Sequence, residues 1–111
     1  MSAMHRVCAS LALAALASVA IAQTADVPPE FWDRPRTGRA LLEQPQLKEV
    51  VNAVLAKPEA TLVIHHASGQ EPLVQAEELR SWLAALAIEP RRIALRGGLA
   101  AGSPLRVEMV P

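Results

Sequence analysis

The stretch Thr61-Leu62-Val63-Ile64-His65-His66 constrains the fold more than any other part of the chain. Its opening residues are β-branched or apolar almost without a break. That pattern predicts a short strand buried on both faces or lying centrally in a sheet. Helical patterns flank it. Before it, Leu47, Val50, Val51, Val54 and Leu55 recur at i, i+3, i+4, i+7 and i+8, which makes one apolar stripe along a helix over 46–56. Pro45 suits the first helical position, and Lys57-Pro58 ends the helix. Ala40-Leu41-Leu42 reads as an earlier turn, offset by Pro45.

After the strand, residues 67–72 read as a loop and 73–87 as a second helix. Leu79, Leu83 and Leu86 are expected to face the core, with Ala76 and Trp82 beside them. Glu77 and Glu78 lie toward its N-terminal end, where negative charge favours the helix dipole. Pro90 is its stop. A second strand is expected over 92–96, with Ile93 and Leu95 inward. Gly97-Gly98 and Gly102-Ser103-Pro104 mark a loop. Leu105, Val107 and Met109 then alternate with Arg106 and Glu108, as in a half-buried final strand. Strand–helix–strand favours a parallel pair with a right-handed crossover. The expected fold is therefore α/β: a small two-layer sandwich of two helices on a sheet of about three strands, in the order arm-α-β-α-β-β.

The arm is 23–39, where Pro28-Pro29, Pro35 and Gly38 interrupt regular structure. Phe31-Trp32 is its exception, an aromatic pair that either docks on the domain or anchors a partner. Residues 1–22 have a different character. His5 and Arg6 precede an uncharged, Ala- and Leu-rich run from Val7 to Ala22, which closes on Ala20-Ile21-Ala22. That is the pattern of a cleavable secretory signal with the cut before Gln23. The run is about 16 residues, short of the roughly 20 that a membrane-spanning helix needs. The expected organisation is signal 1–22, arm 23–39 and domain 40–111, in a protein that is periplasmic or secreted.

Cleavage would remove Cys8, the single cysteine, and with it every disulfide, thiolate metal site or thiol nucleophile. Lys plus Arg and Asp plus Glu both number 11, so no basic excess points to nucleic acid. Phe31, Trp32 and Trp82 are the only aromatics, too few for a stacking platform.

From about residue 40 to 110 the order of elements resembles the OmpA-like C-terminal domain, a periplasmic peptidoglycan-associating module. The first helix before Pro58 and the apolar Leu62-Val63-Ile64 sit where that family has its first helix and central strand. Gln75-Ala76-Glu77-Glu78-Leu79-Arg80-Ser81-Trp82-Leu83 resembles the helix that opens with Arg-Ala in the family. Ile88-Glu89-Pro90-Arg91-Arg92-Ile93 resembles the turn and strand that follow, and Leu105-Arg106-Val107-Glu108 the closing Arg-Val-Glu strand. The family's first strand has no counterpart within 26–39.

The resemblance implies an envelope location and either peptidoglycan or an envelope protein as partner. It also implies where the ligand site should be. In the family an Asp after the strand and an Arg opening the second helix hold the peptide's carboxylate and amine groups. Those positions fall on Gly69 and Gln75. The charged pair is missing, so standard peptidoglycan binding is not expected. His66, Gly69, Gln75, Phe31 and Trp32 are the candidate ligand or partner residues.

The alternative reading is a small exported hydrolase or metal-binding protein that uses His65, His66 and Ser68. A metal site needs at least three converging ligands. Adjacent strand residues face opposite sides, and 23–111 holds no third His. His66, Ser68 and Glu71 can be drawn as a triad, but their spacing matches no nucleophile motif. No GK[ST] follows the glycines, so a phosphate loop is not indicated. Arg34, Arg36, Arg39, Arg91, Arg92 and Arg96 are interspersed with acids, which reads as a solvated face. No metal, cofactor or catalytic residue is expected, and no transmembrane segment once the signal is cut.

Overall fold

The computed structural model describes residues 23–111. The signal-peptide reading falls on 1–22, outside the described residues. In chain order the elements are β1 (Gln23–Asp26), a 3-10 turn (Pro29–Asp33), α1 (Gly38–Leu42) and α2 (Pro45–Ala56). Then come β2 (Thr61–Ala67), α3 (Gln70–Ala85), a second 3-10 turn (Pro90–Arg92), β3 (Ile93–Leu99) and β4 (Arg106–Val110). The class is α/β, as expected. Among the described residues no helix is long and apolar enough to cross a membrane.

The sheet has four strands in the order β1-β4-β2-β3. β2 and β3 are parallel, joined through α3, while β4 runs antiparallel to both β2 and β1. The central place expected for the 61–66 run holds: β2 lies between β4 and β3. Leu62 and Ile64 join Val107, Met109 and Ile93 in the core. The helices complete it with Leu47, Val50, Val51 and Val54 of α2 and Ala76, Leu79 and Leu83 of α3. Burial of these side chains is the main stabilising contribution, about 1.5–3 kcal/mol for each large one.

Four details differ from the sequence reading. The fourth strand comes from the start of the arm, where Gln23–Asp26 pairs with Arg106–Met109. Ala25 and Val27, two residues apart, both bury, and the Val27 N–H donates to the Leu105 carbonyl at 2.8 Å. The rest of the arm is also ordered by the domain. Phe31 is buried in the core, and α1 is capped where the Thr37 hydroxyl accepts from the Ala40 N–H at 2.9 Å.

The remaining differences lie at the ends of the parallel pair. Helix α3 begins at Gln70 rather than 73. Pro72 lies in its first turn, where the missing N–H would have no intrahelical partner anyway. Gly97-Gly98 is not loop but the end of β3, with Gly97 paired beside His66. The register slips between His66 and Ala67, and Gly98 takes up the irregularity at φ 136°.

Candidate functional site

The arm, helix α3 and the β3–β4 loop meet past the carboxyl end of β2, the place where sheets with parallel strands most often carry a ligand. They enclose an open cleft of about 560 Å3. The arm supplies Trp32, Asp33 and Arg36, α3 supplies Glu71, Gln75 and Glu78, and the loop supplies Ser103 and Pro104. Glu71, Gln75 and Glu78 fall at i, i+4 and i+7 of α3, on the flank beside the buried stripe of Ala76, Leu79 and Leu83.

Arg36 and Glu78 tie the arm to the helix. The Arg36 Nε donates to one Glu78 oxygen and its Nη2 to the other at 3.2 Å, a forked pair that fixes orientation as well as charge. Nη1 donates to the Trp32 carbonyl at 3.0 Å, and the guanidinium lies 5.6 Å from the Trp32 ring centroid. That distance is favourable for a cation over an aromatic face. The Trp82 indole N–H also donates to Glu78, at 3.1 Å. These bonds act mainly through Arg36 to hold the Glu78 carboxyl below the usual carboxylate range, against a partial desolvation that raises it. The same hydrogen bond raises Arg36 above its ordinary value. Phe31 and Trp32 meet edge to face at 5.1 Å, so the buried ring braces the one that lines the cleft.

The candidate residues divide. Gln75 and Trp32 come together in the cleft, while Phe31 lies in the core beneath. Gly69 is the residue before α3, at φ 115°, a conformation that favours glycine. It does not line the cleft, nor does His66. His66 uses Nδ1 on the Ala67 carbonyl at 2.9 Å and lies over Gly97, where an added Cβ would come within 3.4 Å of the ring. His65 bonds Glu108 across the sheet at 2.8 Å. No hydrogen bond joins His66, Ser68 and Glu71 to one another among the described residues, and no group of three metal-ligating side chains converges there.

The arginines disperse as well. Arg92 donates to the carbonyls of Val54, Lys57 and Ala60, at 2.6, 2.7 and 2.9 Å, and so caps α2 from the second 3-10 turn. Arg39 pairs with Glu43, and Arg91 with Glu89.

The sequence reading missed Arg36, Asp33 and Glu78 as lining residues. The polar spacing of Glu71, Gln75 and Glu78 on one helix face was the available signal. Nothing in the arm's sequence showed which face Arg36 and Asp33 would meet. Comparison with family models, curated proteins and solved structures returns no match. The cleft is therefore interpreted from its own geometry.

Proposed function

We propose that this chain is an exported, non-enzymatic binding module of the cell envelope. In this reading it resembles an OmpA-like domain, is periplasmic or secreted, and contacts a protein or wall component without standard peptidoglycan recognition. The observation that carries the reading is the cleft at Gln75. It is a formed concavity lined by an aromatic and by polar groups, and the imidazoles of His65 and His66 lie outside it. At the site implied by the resemblance, Gln75 and Gly69 cannot supply the cation and carboxylate that a peptide's charged groups would need.

One further feature supports it. The first strand that the resemblance lacked in sequence has a counterpart at Gln23–Asp26.

Fractionation of cells carrying an epitope-tagged full chain, followed by incubation of the processed protein with purified sacculi, tests the proposal. Processing to a species starting near Gln23 in the exported fraction is expected, with no more sacculus retention than an unrelated control protein. Retention of an unprocessed chain in the cytoplasm overturns export. Retention on sacculi as strong as that of an intact family member overturns loss of the ligand pair.

A further inference from the structure

The lining of the cleft defines what could dock there. Its ionisable groups are Asp33, Arg36, Glu71 and Glu78. Arg36 and Glu78 neutralise each other in the fork. Asp33 on the arm and Glu71 on the first turn of α3 remain, both exposed and neither in an ion pair among the described residues. An anionic ligand would meet two uncompensated carboxylates. The one guanidinium in the lining is already committed to Glu78 and to the Trp32 carbonyl. The cleft thus selects for positive charge.

Its walls select for more than charge. Trp32, Pro29, Pro72 and Pro104 give apolar surface on rigid side chains that lose little entropy on contact. Val74, on the rim, is 51% exposed, and Leu73 beside it is 39% exposed. Val74 therefore carries the apolar surface of the cleft out onto its open rim. Gln75 lies among these groups with an amide that can both donate and accept.

We propose that this cleft docks an extended basic segment of a partner polypeptide. The segment's apolar side chains lie against Trp32 and the three prolines, and its Lys or Arg side chains reach Asp33 and Glu71. This inference rests on the reading of the chain as a binding module and names the partner's chemistry.

Titrating the purified protein with two synthetic peptides tests it: acetyl-Pro-Leu-Lys-Leu-Lys-amide and acetyl-Pro-Leu-Glu-Leu-Glu-amide, with lysine amide as a third probe. Binding is followed by tryptophan fluorescence and by backbone amide shifts. The Lys peptide should saturate, shift the amides of Trp32, Glu71, Gln75 and Ser103, and weaken with added salt. The Glu peptide should bind at least about tenfold more weakly, and Asp33→Asn with Glu71→Gln should weaken the Lys peptide about tenfold. Both substitutions are at exposed positions, and Glu71 also meets the N-terminal dipole of α3, so thermal unfolding should move by no more than a few degrees.

No saturation by the Lys peptide through the millimolar range overturns the proposal, as do equal binding of the two peptides or shifts elsewhere on the molecule. Lysine amide binding as tightly as the Lys peptide also overturns it, in favour of a small amine. Cytoplasmic retention would overturn export, and strong sacculus retention the loss of the ligand pair, without affecting these titrations, so the failures are distinguishable.

Discussion

Arg36 and Glu78, 42 residues apart in the chain, form the forked ion pair that holds the N-terminal arm against helix α3. Each side chain is about one-third exposed, so solvent screens the pair. Its value lies in geometry as much as in energy, because it positions Trp32 and Asp33 on the cleft wall. Glu78→Gln keeps the shape and removes the charge. It should cost about 1 kcal/mol at neutral pH, measured by urea unfolding.

The pH dependence of that cost has a definite sign. Arg36 holds the folded carboxyl of Glu78 below its ordinary range. The stabilisation is therefore fully present above the ordinary carboxylate range and lost as pH falls through the lower folded value. The gap between wild type and Glu78→Gln should narrow as pH falls from the ordinary carboxylate range through that lower folded value. A gap that persists or widens in acid would show that Glu78 stabilises by packing alone.

Phe31→Ala tests whether the arm belongs to the domain. The ring is buried among core residues, so its loss should cost about 3–4 kcal/mol in denaturant unfolding. A change below about 1 kcal/mol would mean that the arm folds independently of the core.

Arg92→Ala removes the donor to three carbonyls around the end of α2. An expected loss of about 2–3 kcal/mol follows from charge-assisted bonds that leave carbonyls unpaired. Arg92→Lys should recover less than half of it, because an ammonium lacks the fork that reaches all three carbonyls. Full recovery in thermal unfolding would argue that charge alone matters.

Gly98→Ala should destabilise by about 1–3 kcal/mol, since φ is 136° there. Gly97→Ala should cost less. Its Cβ would meet only the edge of the His66 ring, at 3.4 Å. The reverse ranking in parallel unfolding measurements would contradict the observed end of β3.

The boundaries of α2 and the central place of β2 were legible because the apolar pattern is strong and local. The start of α3 was misread because Pro72 looks like a breaker, although a proline in the first turn of a helix costs no hydrogen bond. β1 was missed for a different reason. Only Ala25 within it is buried, with Val27 just beyond its end, and a strand at a sheet edge is specified largely by its partner, here β4. Gly97-Gly98 likewise became strand through pairing with β2, not through its own propensity.

The candidate site was half legible. Gln75 and Trp32 were named from sequence and do line one cleft, whereas His66 and Gly69 do not. A ligand site needs side chains from distant segments, and sequence spacing carries no information on which segments meet. By itself the sequence determined the α/β class, the apolar strand and the helix faces, because hydrophobic periodicity acts within a few residues. Only the tertiary structure decided that the arm would join the sheet and that Arg36 would meet Glu78. Those contacts join residues of remote numbering, which only the folded core holds within hydrogen-bond reach.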